Sequence, residues 1–207
     1  MTSSNPGRFG RQDVDIIERT RVFDGYFKVD RYHLRHRLID GGWSPILNRE
    51  VFERGHAVGL LPYDPVEDKV VLIEQIRIGA LAAGWEPWMV EIVAGIIDPG
   101  ETLEDVAIRE TREECGASVT NLIPVARYMP SPGAVSETVH VFCGKIDSNT
   151  LPATAGRPEE GEDISVSAMP WEIVAERLHR GDFNNGLTII ALQWLALNRE
   201  RLRTDWS

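Results

Sequence analysis

The chain has 207 residues, a formal net charge of −10 at pH 7 and a pI near 5.0. That length buries a substantial core, as one domain with an extension, and the acidity argues against a broad nucleic-acid or membrane surface. A phosphorylated substrate is not excluded, because cations and a few local arginines reverse the sign inside a cleft. No apolar run reaches the length of a membrane-spanning helix, and the start MTSSNPGRFG lacks the hydrophobic core of a signal peptide, so a cytoplasmic protein is expected.

In chain order, residues 1–10 are polar and Gly/Pro-rich and read as a flexible arm. Residues 11–53 read as an N-terminal β-strand region: alternation in YFKVDRYHLRHRL leads to the turn Ile39-Asp40-Gly41-Gly42, and ILNREVFE follows. From residue 54 to 207 the pattern is mixed. Strands are predicted at His56–Leu61 and Lys69–Ile78 around YDPVED, then at Trp88–Val93. An acidic helix follows. Further strands are predicted near Ile123–Tyr128, Thr138–Gly144 and Ile164–Ala168, and two helices at Pro170–His179 and Leu187–Asn198. There is no internal repeat. Strands enclosing one acidic helix, with other helices outside, predict an α/β sandwich. Cys115 and Cys143 form neither a close-spaced metal motif nor a disulfide framework and are assigned to packing. The histidines His33, His36, His56, His140 and His179 show no ligand spacing.

The acidic helix carries the chemistry. Thr102 is a suitable N-cap with Asp105 as its capping-box partner, and Gly116 suits a left-handed stop. Glu110 and Glu114 are four residues apart and share a face, with Glu113 beside them. Like charges at that spacing destabilise an isolated helix, and clustered carboxylates suit hard cations such as Mg²⁺ or Mn²⁺. Arg109 is placed to pair with one carboxylate, Glu101 being a candidate from the preceding loop. A solvated acidic face is the usual fate of such a run. Against it stands the spacing of the whole segment GIIDPGETLEDVAIRETREECGA.

In that segment Gly95, Glu101, Arg109, Glu110, Glu113, Glu114 and Gly116 stand at fixed intervals that chance would produce in about one chain in 10^5. The pattern resembles the signature of the Nudix hydrolases, which cleave nucleoside diphosphates linked to another group. Thr111 and Ala117 stand where that pattern usually has larger aliphatic residues, and both read as packing variants. The resemblance extends through EVFERGHAV, VVLIEQIRIGA, SPGAVSE and DFNNGLTIIALQWL, and within the family it is to the ADP-ribose-cleaving enzymes of bacteria. It implies an α/β/α sandwich with mixed sheets, preceded by an antiparallel β extension that dimerises, so that 54–207 would be the hydrolase domain.

The resemblance further implies Mg²⁺-dependent (alternatively Mn²⁺-dependent) hydrolysis of ADP-ribose to AMP and ribose 5-phosphate. The carbonyl of Ala94 with Glu110, Glu114 and Glu162 would hold the metal. In the acidic loop from about Ala153 to Asp163, Glu160 would be the general base, with Glu159 and Glu162 as alternatives. Glu113 is another candidate base or a supporting ligand, and Arg109 orients the cluster. Arg77 would meet the phosphates or the terminal ribose. Ile96, Ser131, Pro132 and Gly133 would line the ribose side, with Glu137 accepting hydroxyl hydrogen bonds. Pro132 lies sixteen residues beyond Gly116, a spacing associated in the family with ADP-ribose. The adenine would be gripped partly by a second subunit through Tyr26, Phe27, Arg49, Glu50 and Arg54, whose aromatic and guanidinium planes suit stacking. The rival readings are a hydrolase of another nucleotide sugar, such as GDP-mannose, and a non-catalytic nucleotide sensor. The retained carboxylates Glu110, Glu113 and Glu114 and the absence of a basic DNA-recognition extension disfavour the sensor.

Overall fold

The computed structural model describes residues 8–206. Most of the expected arm at 1–10 therefore lies outside the described residues. The chain divides into two compact units.

The first unit runs to Gly55 and takes in Met129–Glu137. It holds an antiparallel sheet of β1 (Val14–Asp24), β2 (Lys28–His36) and β3 (Leu47–Glu53), in that order. The strand expected within YFKVDRYHLRHRL is β2, although its burial does not alternate strictly, while β1 is a long strand with two register irregularities. Asp30 in β2 is buried, and both Arg19 and Arg21 of β1 donate to its carboxylate. This clamp pulls its pKa down to about 2, chiefly through the hydrogen bond from Arg21 and then that from Arg19. Met129–Glu137 lies along β3: Phe52 N donates to the carbonyl of Ala134, and Ser136 N to that of Phe52.

The second unit comprises His56–Tyr128 and Thr138 onward. Its mixed sheet contains β4 (Ala57–Asp64), β5 (Lys69–Ile76), β6 (Trp88–Glu91), β7 (Val93–Ile96), β8 (Asn121–Tyr128), β9 (Val139–Lys145), β10 (Thr154–Ala155) and β11 (Ile164–Pro170). The main order is β10-β11-β5-β4-β9-β8, with β6 on β5 and β7 on β4. The β4–β9 pairing is parallel and the others are antiparallel. The helices are α1 (Ile78–Ala82), α2 (Leu103–Cys115), α3 (Trp171–Arg180) and α4 (Gly186–Trp206).

Every residue of β4 is buried, which accounts for its unbroken apolar run. Val58 and Leu60 pack with Val106 and Ala107 of α2, whereas Ala57, Leu61 and Tyr63 pack with Ala191, Leu192 and Leu195 of α4. Helices therefore cover both faces of this sheet, the α/β/α arrangement expected. At Gly59 the approach is close: a Cβ there would come within 2.8 Å of Leu187.

Three elements depart from the sequence reading. The strand expected at Trp88–Val93 is two strands broken at buried Ile92, because β6 pairs with β5 and β7 with β4. The strand expected to reach Ile78 ends at Ile76 and turns into the short α1. The last helix continues past Asn198 to Trp206, because Leu202 and Trp206 are buried and Arg199 pairs with Asp68 of the β4–β5 turn.

Candidate active site

Helix α2 starts and stops where its sequence dictates. The Thr102 hydroxyl accepts from Asp105 N at 3.2 Å, and Gly116 takes the left-handed conformation at φ 70°. Its buried side, with Val106, Ala107, Thr111 and Cys115, fixes the rotation of the helix. Glu114 is also buried, and Glu110, Glu113 and Arg109 follow on the adjoining, partly buried edge of the helix. Thr111 and Ala117, the two departures from the family pattern, are both buried and serve packing.

Arg109 organises the carboxylates. It grips Glu101 through two parallel bonds, Nε to Oε1 at 2.8 Å and Nη2 to Oε2 at 3.0 Å. Its Nη1 donates to Glu110 at 2.8 Å and to Glu113 at 3.3 Å. The hydrogen bonds from Arg109 lower the pKa of Glu101. Glu110 lies against Gly95, where an added Cβ would fall 1.7 Å from Glu110 Oε1. A Cβ there would fit only if the Glu110 carboxyl moved away, so Glu110 rests this close to β7 because residue 95 is glycine.

Glu114 is the most sequestered acid of the group, 3% exposed. Its Oε2 accepts from Ala94 N at 2.9 Å and its Oε1 from Gln75 Nε2 at 3.4 Å. Burial pushes its pKa up to about 8. Burial likewise raises that of Glu110, against the opposing pull of Arg109. Two neighbouring carboxyls that resist ionisation are a hallmark of a functional cleft.

The acidic loop meets the helix at its C-terminal end. Gly156 N donates to the carbonyl of Glu113 at 3.0 Å, and Glu162 turns back to accept from Arg157 N at 3.1 Å. Arg157 pairs with Glu159 at 3.1 Å and with Glu160 at 2.5 Å. Glu159 and Glu160 thus share one arginine on the exposed part of the loop, while Glu162 faces inward enough to influence Glu110. Among the described residues, no three His, Cys, Asp or Glu form a ready-made metal cage. Ile96 ends β7 beside the cluster. Arg77 Nε donates to Glu91 at 2.8 Å.

The remaining expected contacts belong to the first unit. Tyr26 and Phe27 meet edge to face with ring centroids 4.8 Å apart, Phe27 lies 5.0 Å from Phe52, and the Arg54 guanidinium lies 6.0 Å from the Phe27 ring. Arg54 pairs with Glu137 at 3.4 Å. Glu50 is held by Arg31 at 2.8 Å, and among the described residues Arg49 donates only to the carbonyl of Asn48. Tyr26, Phe27, Arg54 and Glu137 are therefore one cluster from which Arg49 and Glu50 stand apart. Ser131 closes a tight turn through Pro132 and Gly133, its carbonyl accepting from Ala134 N and Val135 N.

Two polar residues near Arg77, Glu91 and Asn185, went unread in the sequence. The available signal was an acid inside the apolar run WMVEIVAG.

The NUDIX domain matches residues 53–186. The ADP-ribose pyrophosphatase of Escherichia coli (strain K12) is 45% identical over 98% of this chain and 97% of its own length. The ADP-ribose pyrophosphatase of Haemophilus influenzae is 38% identical over 96% and 93%. The GDP-mannose pyrophosphatase of Shigella flexneri is 30% identical over 90% and 97%. A crystal structure of an ADP compounds hydrolase superposes with a TM-score of 0.69 over 94% of this chain and 96% of its own at 23% identity, a likeness of fold. By the match over most of its length and by these identities, the chain belongs to the NUDIX domain family.

Proposed function

We propose that this enzyme hydrolyses ADP-ribose to AMP and ribose 5-phosphate by attack of water on the diphosphate. The observation that carries the reading is the pair of sequestered carboxyls Glu110 and Glu114, set against Gly95 and the Ala94 amide. The 45% identity to proteins named ADP-ribose pyrophosphatase supports the substrate. Retention of Glu110, Glu113 and Glu114 argues against a sensor that has lost catalysis.

The donors suit a hard divalent cation: all are oxygens, and two carboxyls sit in a low-dielectric pocket where an uncompensated charge is costly. Glu110, Glu114, Glu162 and the Ala94 carbonyl would hold it, with Mg²⁺ or Mn²⁺ preferred by such a set. When bound, the cation supplies neutralisation of the diphosphate charge. Arg109 keeps Glu110 and Glu113 aimed at one side of α2. Glu160 would take the proton of the attacking water, its exposed loop position allowing it to swing away from Arg157. Glu113 is the alternative acceptor. Arg77 would bind a phosphate oxygen, and Ile96 would bound the ribose side with Ser131, Pro132 and Gly133. We assign Glu137 to substrate hydroxyls and Tyr26, Phe27 and Arg54, with Arg49 and Glu50, to the adenine.

A homodimer built on the N-terminal strands belongs to the same reading. Exposed Ile16, Ile17 and Phe23 on β1 support it. No helix among the described residues is long and apolar enough to cross a membrane. The second reading, a preference for GDP-mannose, has the 30% identity in its favour. Comparing kcat/KM for ADP-ribose, GDP-mannose and other ADP-sugars decides between them. A higher value for ADP-ribose is expected, and preference for GDP-mannose would overturn the substrate assignment while keeping the reaction class.

A further inference from the structure

Glu91 lies at the end of β6, only 3% exposed, on the same strand as buried Met89 and exposed Trp88. A buried carboxylate is stable only when its oxygens are supplied with donors. Here each oxygen has its own. Oε2 accepts from Arg77 Nε at 2.8 Å, and Oε1 accepts from Asn185 Nδ2 at 2.5 Å. Asn185 is fixed in turn, because its Oδ1 accepts from Thr188 N at 3.0 Å and so caps the first turn of α4. Thr188 Oγ1 accepts from Ile92 N at 3.1 Å, at the break between β6 and β7. The chain of contacts therefore runs from the N-terminus of α4, through Asn185 and Glu91, to Arg77.

Arg77 is the residue that this chain of contacts orients. It stands where β5 gives way to α1, with its backbone N held by the carbonyl of Pro87 at 2.7 Å and its side chain 41% exposed. Glu91 takes Nε, so the outer edge, Nη1 and Nη2, has no hydrogen-bond partner among the described residues. An arginine gripped by Nε has lost most of its freedom to turn, and its remaining donors point in a set direction. That is the preorganisation which oriented recognition of a phosphate requires. Arg77 also exerts a field on Glu114, placing its charge near the acidic cluster.

We infer that Glu91 and Asn185 are positioning residues that aim the outer guanidinium edge of Arg77 at the diphosphate of the substrate. The inference rests on the reaction proposed above. Glu91 touches no reacting atom and acts only through Arg77. Asn185 thus has two tasks, capping α4 and holding Glu91, and they are separable by substitution. Asn185→Ser retains a capping hydroxyl but is too short to reach Glu91.

The test is a double-mutant cycle read by two methods: calorimetric binding of ADP in the presence of Mg²⁺, and steady-state hydrolysis of ADP-ribose. Arg77→Ala, Glu91→Gln and their combination are compared with wild type. Each single variant is expected to weaken ADP binding and raise KM about tenfold, with a smaller change in kcat. The double variant is expected to match Arg77→Ala, because Glu91 has no role once Arg77 is gone. Asn185→Ser should raise KM several-fold with the thermal midpoint almost unchanged. It supplies the answer should Glu91→Gln fail to fold. Multiplicative losses in the double variant overturn the inference, as does an Asn185→Ser enzyme with wild-type KM. Absence of ADP binding by the wild type overturns it too. A wild type that binds ADP and shows the non-additive cycle, yet leaves ADP-ribose intact, refutes the proposed reaction and upholds the positioning.

Discussion

Replacing Gly95 by alanine probes the catalytic face at its tightest point. The residue is not glycine for its backbone angles, since it does not lie in the left-handed region. It is glycine because an added Cβ would lie 1.7 Å from Glu110 Oε1, 2.0 Å from Cδ and 2.4 Å from Cγ. Carbon atoms settle about 3.5–4.0 Å apart, so the carboxyl group must retreat by roughly 1.5 Å. It can do so, because the obstructing atoms are the end of a flexible side chain. The expected stability cost is therefore about 1–2 kcal/mol, or roughly 2–8 °C in Tm for a chain of this size. The retreat also breaks the 2.8 Å bond from Arg109 and moves Glu110 off its line with Glu114. Displacements near 1 Å cost about 100-fold in rate, so kcat of Gly95→Ala should fall by about 100-fold or more at saturating Mg²⁺. Steady-state kinetics beside a thermal melt would separate the two effects. A folded variant with wild-type turnover would refute the claim that Glu110 must sit in that cradle.

Glu114→Gln should lower turnover by orders of magnitude and yet raise stability in EDTA at pH 8. Because the folded carboxyl titrates near 8 rather than near 4.5, the native state keeps a proton that the unfolded chain has released. Wild-type stability should thus fall as pH rises between those values, by at most about 1.4 kcal/mol per pH unit; a glutamine variant with the same slope in urea titrations would contradict this. Asp30 behaves in the opposite sense: its carboxylate is depressed to about 2, so its contribution is present above its ordinary pKa near 3.8 and disappears as pH falls through 2. Asp30→Asn should be less stable at pH 7 and lose this acid-limb dependence, and an unchanged acid limb in circular dichroism would count against the clamp. Among Glu159→Gln, Glu160→Gln and Glu162→Gln, kcat should fall most for Glu160, and Mg²⁺ activation should shift to higher concentration only for Glu162. Equal small losses in all three would move the base to Glu113.

Helix α2 was legible because its determinants are local. Thr102 and Gly116 mark its ends, the apolar positions fix its rotation, and Glu101 lies close enough in sequence for its pairing with Arg109 to be anticipated. The break at Ile92 was not legible, since WMVEIVAG gives no sign that its halves pair with different strands. Helix α4 looked shorter than it is because its last two turns are charged. Asp68, 131 positions away, is what Arg199 finds. Glu91 and Asn185 stand 94 residues apart, so neither shows a partner until the chain is folded. Tyr26, Phe27 and Arg54 were named from the family pattern. The structure adds that Tyr26, Arg54 and Phe52 gather around Phe27, and that Arg49 and Glu50 do not join them.

The central claim is that water attacks the diphosphate of ADP-ribose, and hydrolysis in ¹⁸O-labelled water with Mg²⁺ tests it most directly. The account predicts AMP and ribose 5-phosphate in equal amounts, with one labelled oxygen per turnover carried on a phosphate of one product. Release of ADP and free ribose, with the label on either, would place the attack at the phosphoester that joins the terminal ribose to the diphosphate and contradict it.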